Sequence, residues 1–201
     1  MELTISKADV STLPYETFDG NIVVVDNEQK VDSAVSYLAG QSIIGFDTET
    51  KPTFKPGDTN KVALMQLATQ DTCFLFRLNM IGYPNKLGDI LCNPNIKKVG
   101  LSLHDDFLAM RKRTGQDFEN FIDLQQFSNK FGIVDNSLQR IYAILFGKKI
   151  RKNQRLSNWE ARTLTPAQQS YAALDAWACL RIYNHLMNSH DDNLSNHTAT
   201  S

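Results

Sequence analysis

Two apolar runs, "KVALMQLAT" (61–69) and "TCFLFRL" (72–78), stand with only Gln70 and Asp71 between them. Each reads as a strand, and so short a connection joins neighbouring strands as an antiparallel hairpin. The rest of the chain has to be arranged around that hairpin. Upstream, "NIVVVDN" (21–27) is a β-branched strand, and Ile43, Ile44, Gly45 and Phe46 begin another. Between them "EQKVDSAVSYLAG" (28–40) places Val31, Ala34, Val35 and Leu38 at helical spacing, with Gly40 as a stop. "KPGDTN" (55–60) is turn chemistry, "NKLGDILCNPN" (85–95) a short helix broken at Asn93-Pro94, and "IKKVGLSL" (96–103) begins as a fifth strand.

From about residue 104 the pattern becomes helical. Residues 105–113, 121–131 and 137–147 are candidate helices. Thr165-Pro166-Ala167-Gln168 is a capping-box start with proline at the first helical position, and the helix it opens is expected to run to about His190. Strands first and helices after predict one α/β domain over residues 1–190 with a mixed sheet, followed by a polar tail, 191–201, expected to be disordered.

A chain of 201 residues can hold one domain with a real core and is marginal for two. No apolar run approaches the ~20 residues of a membrane helix, so no membrane association is expected. "MELTISKADV" lacks a basic start and an apolar core, so no secretory signal is expected. Cys73, Cys92 and Cys179 are odd in number and scattered, without metal-ligand spacing or a disulfide framework, which makes a reducing cytoplasm the expected location. With 21 basic and 22 acidic residues the net charge is −1, so only local charge can indicate a nucleic-acid partner.

Acids appear in three unexpected places. Asp47 and Glu49 end the apolar strand of "IIGFDTET", two positions apart and therefore on one face, with Cα atoms about 7 Å apart. Such a pair can hold a cation, or can be a solvated strand end. His104, Asp105 and Asp106 open a helix after a strand; a helix N-terminus accounts for one acid as a cap but does not require two. A His-Asp doublet also occurs in metal phosphohydrolases, but His185 and His190 are weak partners for it. Tyr171 and Asp175, at i and i+4, share a face of the last helix, where Ala172, Ala173, Ala176 and Ala178 let another backbone or a ligand come close. A surface Tyr–Asp pair is the plainer alternative.

In this order and spacing the segments "FDTET", "KKVGLSLHDDFLAM" and "LSNWEARTLTPAQQSYAALDAWACL" resemble the Tyr-containing branch of the DEDD 3′–5′ exonucleases, similar to ribonuclease D and the exonuclease domain of the Werner-syndrome helicase. The resemblance runs from about Ile43 to Tyr183. It implies a ribonuclease-H-like fold, with a five-stranded mixed sheet flanked by helices. It also implies that Asp47, Glu49, Asp106 and Asp175 are metal ligands, picking Asp106 over Asp105, and that Tyr171 orients or deprotonates the attacking water. If the four acids converge at about 6 Å, each ionised pair costs roughly 3 kcal/mol at an effective dielectric of ~20, and the set on the order of 15 kcal/mol. A protein stable by ~5–15 kcal/mol cannot leave that unrelieved. Protons or metal ions must neutralise the set, and all-oxygen ligands suit Mg²⁺ or Mn²⁺. Two such ions suit an in-line displacement that releases nucleoside 5′-monophosphates from a DNA or RNA 3′ end.

"KKIRKNQR" carries Lys148, Lys149, Arg151, Lys152 and Arg155 without an acid, in a loop before the third motif. It is expected to hold substrate phosphates, against the alternative of a solvated basic loop. "RKR" (111–113) is a weaker patch that the dipole of a helix C-terminus already accounts for. Phe54 is expected to stack on a terminal base, or else to tuck into the core. Trp159 and Trp177 are expected to be structural. The competing functions are a catalytically silent nucleic-acid-binding module and a metal phosphohydrolase acting on small phosphoesters.

Overall fold

The computed structural model describes residues 2–53 and 61–198, and within them the side chains of all but residues 105, 106, 108, 109, 112, 113 and 190–198. The elements in order are α1 (Lys7–Thr12), β1 (Asn21–Val25), α2 (Glu28–Leu38), β2 (Ile43–Thr50), β3 (Val62–Ala68), β4 (Thr72–Phe76), α3 (Leu78–Ile81) and α4 (Asn85–Cys92). There follow β5 (Lys97–Gly100), α5 (Leu103–Thr114), β6 (Phe121–Asp123), α6 (Leu124–Asn129), α7 (Leu138–Phe146) and α8 (Pro166–Thr198).

Among the described residues six strands form one sheet in the order β1-β4-β3-β2-β5-β6. The expected hairpin is present: β3 and β4 are antiparallel, with Ala68 opposite Cys73. β2 pairs antiparallel with β3 and parallel with β5, so the sheet is mixed and β2 lies in its interior. The sixth strand is β6. Residues 121–131 read as one helix in sequence, but Phe121–Asp123 pair parallel with β5 before α6 begins. Three residues are too few to show a period of two. α1 also escapes the sequence pattern; its Ser6 hydroxyl accepts from the Asp9 amide at 3.1 Å, a cap that six residues of weak periodicity do not advertise.

The sheet is buried on both faces. Ile44 and Phe46 of β2, Met65 and Leu67 of β3, and Phe74 and Phe76 of β4 point to one side, where α2 and α4 supply Val31, Leu38, Leu87 and Leu91. Leu64, Ala68, Cys73 and Leu75 point to the other, against Ala172, Ala173 and Ala176 of α8. By alternation Gly45, Asp47 and Glu49 share the α8 side. The contact with α8 is close. A Cβ on Gly45 would lie 2.0 Å from the carbonyl oxygen of Ala176, so glycine and the alanine face are jointly required.

The start of α8 matches its sequence signature. The Gln168 amide N–H donates to the Thr165 hydroxyl at 3.2 Å, and the Thr165 N–H donates to Oε1 of Gln168 at 3.0 Å. Gln168 Nε2 also reaches Ser157 Oγ at 3.1 Å, which ties the Ser-Asn-Trp stretch to the helix. α8 continues to Thr198, beyond the expected end near His190, and no glycine or proline follows Pro166 to stop it. Among the described residues no helix is long and apolar enough to cross a membrane.

Candidate metal and nuclease site

β2 and α8 bring together what the chain keeps far apart. One carboxylate oxygen from each of Asp47, Glu49 and Asp175 lies within 4.8 Å of the others. Asp47 and Glu49 arrive because an apolar strand, fixed by the buried Ile44 and Phe46, runs out at the sheet's edge of polarity. Asp175 arrives because α8 lies flat on Gly45. At an effective dielectric of ~20 each ionised pair at this spacing costs about 3 kcal/mol.

Asp175 is 8% exposed. Burial raises its pKa from 3.8 to about 7; the Tyr171 hydroxyl and the charge of Lys152 oppose the rise without cancelling it. Its Oδ1 is buried and makes no hydrogen bond among the described residues. An orphaned carboxylate oxygen beside two further carboxylates fits a divalent cation with oxygen ligands. Tyr171, one turn earlier, is equally buried and hydrogen-bonds Asp175. Burial pushes the Tyr171 hydroxyl well above its ordinary pKa, and Asp175, Glu49 and Asp47 push it further. Trp159, fully buried, packs near it with ring centroids 6.0 Å apart. Trp177 is also structural, donating from Nε1 to the Gln70 carbonyl at 3.1 Å.

Asp106 lies on α5, in its second turn, and its side chain is outside the described residues, as is Phe54. The entry to α5 is capped from elsewhere. Its N-cap, Ser102, has φ 58° and makes no side-chain cap. Asp123 of β6 accepts instead from the amides of Leu103 at 3.0 Å and Gln125 at 2.9 Å, holding the starts of α5 and α6 together. Asp123 thus satisfies the Leu103 amide at the start of α5, while the side chains of Asp105 and Asp106 lie outside the described residues. His104 is exposed.

The basic loop divides. Lys148 donates to the buried Glu16 at 2.9 Å, and Glu16 also accepts from Tyr142 at 2.8 Å and Arg181 at 2.7 Å. Arg151 lines a cavity of about 500 Å³ together with Tyr171, Ser170 and Leu174 of α8. Lys152 is near enough to lower the pKa of Asp175. Lys152 and Arg155 are exposed. Sequence reasoning also missed Gln66, which sits opposite Asp47 in the β2–β3 register, is fully buried, and has neither amide atom hydrogen-bonded among the described residues. A glutamine at the centre of an apolar strand was the signal.

A mixed six-stranded sheet flanked by helices is the fold of the ribonuclease-H-like exonuclease domains. Residues 22–191 match the 3′–5′ exonuclease family, and the chain belongs to it. It is 32% identical over 189 residues to the bifunctional 3′–5′ exonuclease/ATP-dependent helicase WRN of Mus musculus, covering 89% of this chain and 14% of that protein. The Nibbler EXO domain of Aedes aegypti is similar in structure, with a TM-score of 0.75 and 27% identity, covering 85% of this chain and 90% of that one. Ribonuclease D of Escherichia coli shares the fold at a TM-score of 0.76 and 24% identity, covering 86% of this chain and 46% of that one. The chain spans 14% of the length of WRN and 26% of the mut-7 homolog of Aedes aegypti.

The raised pKa of Asp175 has a measurable effect on stability. The folded metal-free protein holds a proton that the unfolded chain releases near pH 4. The stability this contributes is complete below about pH 4 and is lost as pH rises through about 7. In EDTA, Asp175→Asn is expected to flatten that decline and to exceed wild type at alkaline pH by up to about 4 kcal/mol. Thermal melts across pH check this; parallel curves for the two proteins would show that Asp175 is not desolvated.

Proposed function

We propose that the chain hydrolyses phosphodiester bonds at the 3′ end of DNA or RNA and releases nucleoside 5′-monophosphates. The observation that carries this is the meeting of Asp47, Glu49 and Asp175 within 4.8 Å, beside a buried tyrosine, in a member of the 3′–5′ exonuclease family. Asp47, Glu49 and Asp175 would hold divalent cations, with Asp106 of α5 as the fourth ligand. Two ions of the Mg²⁺ or Mn²⁺ type, when bound, would activate the attacking water and stabilise the departing 3′ oxygen.

The chain's own groups have defined parts. The hydroxyl of Tyr171 keeps its proton at neutral pH because burial and three acids hold its pKa up. It therefore positions the water and does not act as its base. Trp159 and the alanine face of α8 hold that hydroxyl in place and exclude bulk solvent from behind it. Arg151 and Lys152 lie on the side where a phosphate backbone would leave the site, and supply the positive field it needs.

The test uses purified protein, Mn²⁺ and 5′-labelled single-stranded DNA and RNA. A ladder shortening from the 3′ end, with 5′-monophosphate products, is expected. Intact substrate, or products bearing 3′-phosphates, would sink the proposal.

A further inference from the structure

The segment before β1 is fastened to the basic loop. Lys149 N–H donates to the Pro14 carbonyl at 2.9 Å, Glu16 N–H donates to the Lys149 carbonyl at 2.9 Å, and Tyr15 bridges Lys149 in parallel. The half-exposed ring of Tyr15 lies under two cations, with Arg151 Cζ 3.9 Å and Lys149 Nζ 4.5 Å from its centroid. Cation–π contact holds both charges in fixed positions at the surface. Around them is a cavity of about 380 Å³ whose charged lining is Lys7, Arg140, Lys149, Arg151 and Lys152, with no acid among the lining residues. Arg140 is also paired with Asp135 at 2.8 Å. Arg151 and Asn153 line both this cavity and the one containing Tyr171, so the two adjoin at these residues. Lys7 and Tyr15 precede residue 22, where the family match begins.

We propose that Lys7, Tyr15, Lys149, Arg151 and Lys152 form a groove for the sugar–phosphate backbone of a single strand, 5′ of the end held at Tyr171. This rests on the exonuclease reading. With Arg151 and Lys149 against its ring, Tyr15 carries cations toward phosphates. A fixed row of cations suits successive phosphates of one strand, and their neutralisation releases counterions.

The experiment compares wild type with Lys7→Glu and Tyr15→Leu. Lys7 is exposed on α1, so its reversal does not endanger folding. Binding of a labelled strand of about 12 nucleotides, within the ~4–16 that single-strand sites occupy, is followed by fluorescence anisotropy in EDTA at several salt concentrations. Lys7→Glu is expected to weaken binding about 3- to 10-fold and to reduce the salt slope by roughly 0.7 or more; Tyr15→Leu is expected to weaken it as well. With Mn²⁺, the loss of cleavage is expected to be several-fold greater on the long strand than on a dinucleotide. Unchanged binding and slope, or equal losses on both substrates, would overturn the groove. An oligoglutamate probe equally sensitive to both variants would also overturn it, in favour of an acidic peptide. If wild type cleaves neither substrate, the exonuclease reading fails while the anisotropy still decides the groove.

Discussion

Asp47→Asn is expected to remove phosphodiester cleavage by on the order of 10³-fold while the metal-free protein melts no lower than wild type. The two halves of that result have one cause. The Asp47 carboxylate lies within 4.8 Å of those of Glu49 and Asp175, so neutralising it relieves repulsion that metal-free folding must bear. The same change removes a charge from the set that would hold the cations, and their contribution to the transition state is worth several kcal/mol, with each ~1.4 kcal/mol a factor of ten in rate. Wild type should gain thermal stability on adding Mn²⁺, by mass action on the folded state. Asp47→Asn should gain little. A variant that keeps full cleavage, or that keeps the whole Mn²⁺-dependent shift, would remove Asp47 from the site.

Gly45→Ala is expected to damage the site without touching any of its acids. The added methyl would fall 2.0 Å from the Ala176 carbonyl oxygen, 2.9 Å from its carbon and 3.1 Å from Leu180 Cβ. Backbone cannot rotate away as a flexible side chain can, so α8 must rise by on the order of 1 Å to restore ordinary contact. Overpacking of this kind costs about 1–3 kcal/mol, which in a domain this size lowers Tm by roughly 2–4 °C per kcal/mol. The larger effect falls on chemistry, since α8 carries both Tyr171 and Asp175, and an error of ~1 Å in a reacting geometry can cost about 10²-fold. Gly40→Ala is the control, because its added methyl would meet only the Tyr37 carbonyl, at 3.6 Å. Circular dichroism, melting and cleavage rates together separate local displacement from unfolding. Equal activity in the two variants would show that α8 does not need its close seat on β2.

The elements legible in the sequence are those whose signal is local. A continuous apolar strand ending in Asp-Thr-Glu, a two-residue hairpin and a Thr-Pro-Ala-Gln helix start each declare themselves within ten residues. The alanines of α8 also announced a close neighbour, which proves to be Gly45. What was hidden depends on partners far along the chain. β6 is a strand only because β5 lies beside it. Asp123 caps α5 from 20 residues away. Lys148 reads as one more cation in a basic loop, but its ammonium goes to Glu16, whose burial depends on Tyr142 and Arg181 from two other helices. Spacing made Asp47 with Glu49 and Tyr171 with Asp175 stand out, and the family resemblance named the set with Asp106, yet the burial that sets Asp175 apart comes from packing alone.

The placing of Asp175 and Tyr171 on the last helix bears on how the protein is made. Chains emerge from the ribosome N-terminus first. A nascent chain that has laid down β2 and its hairpin displays Asp47 and Glu49, but neither Tyr171 nor Asp175 has yet been translated. The cage closes only when α8 settles onto Gly45, among the longest loop closures the fold requires. On the proposed reading, a product truncated before α8 carries Asp47 and Glu49 without Tyr171 or Asp175 and cannot complete the acid cluster.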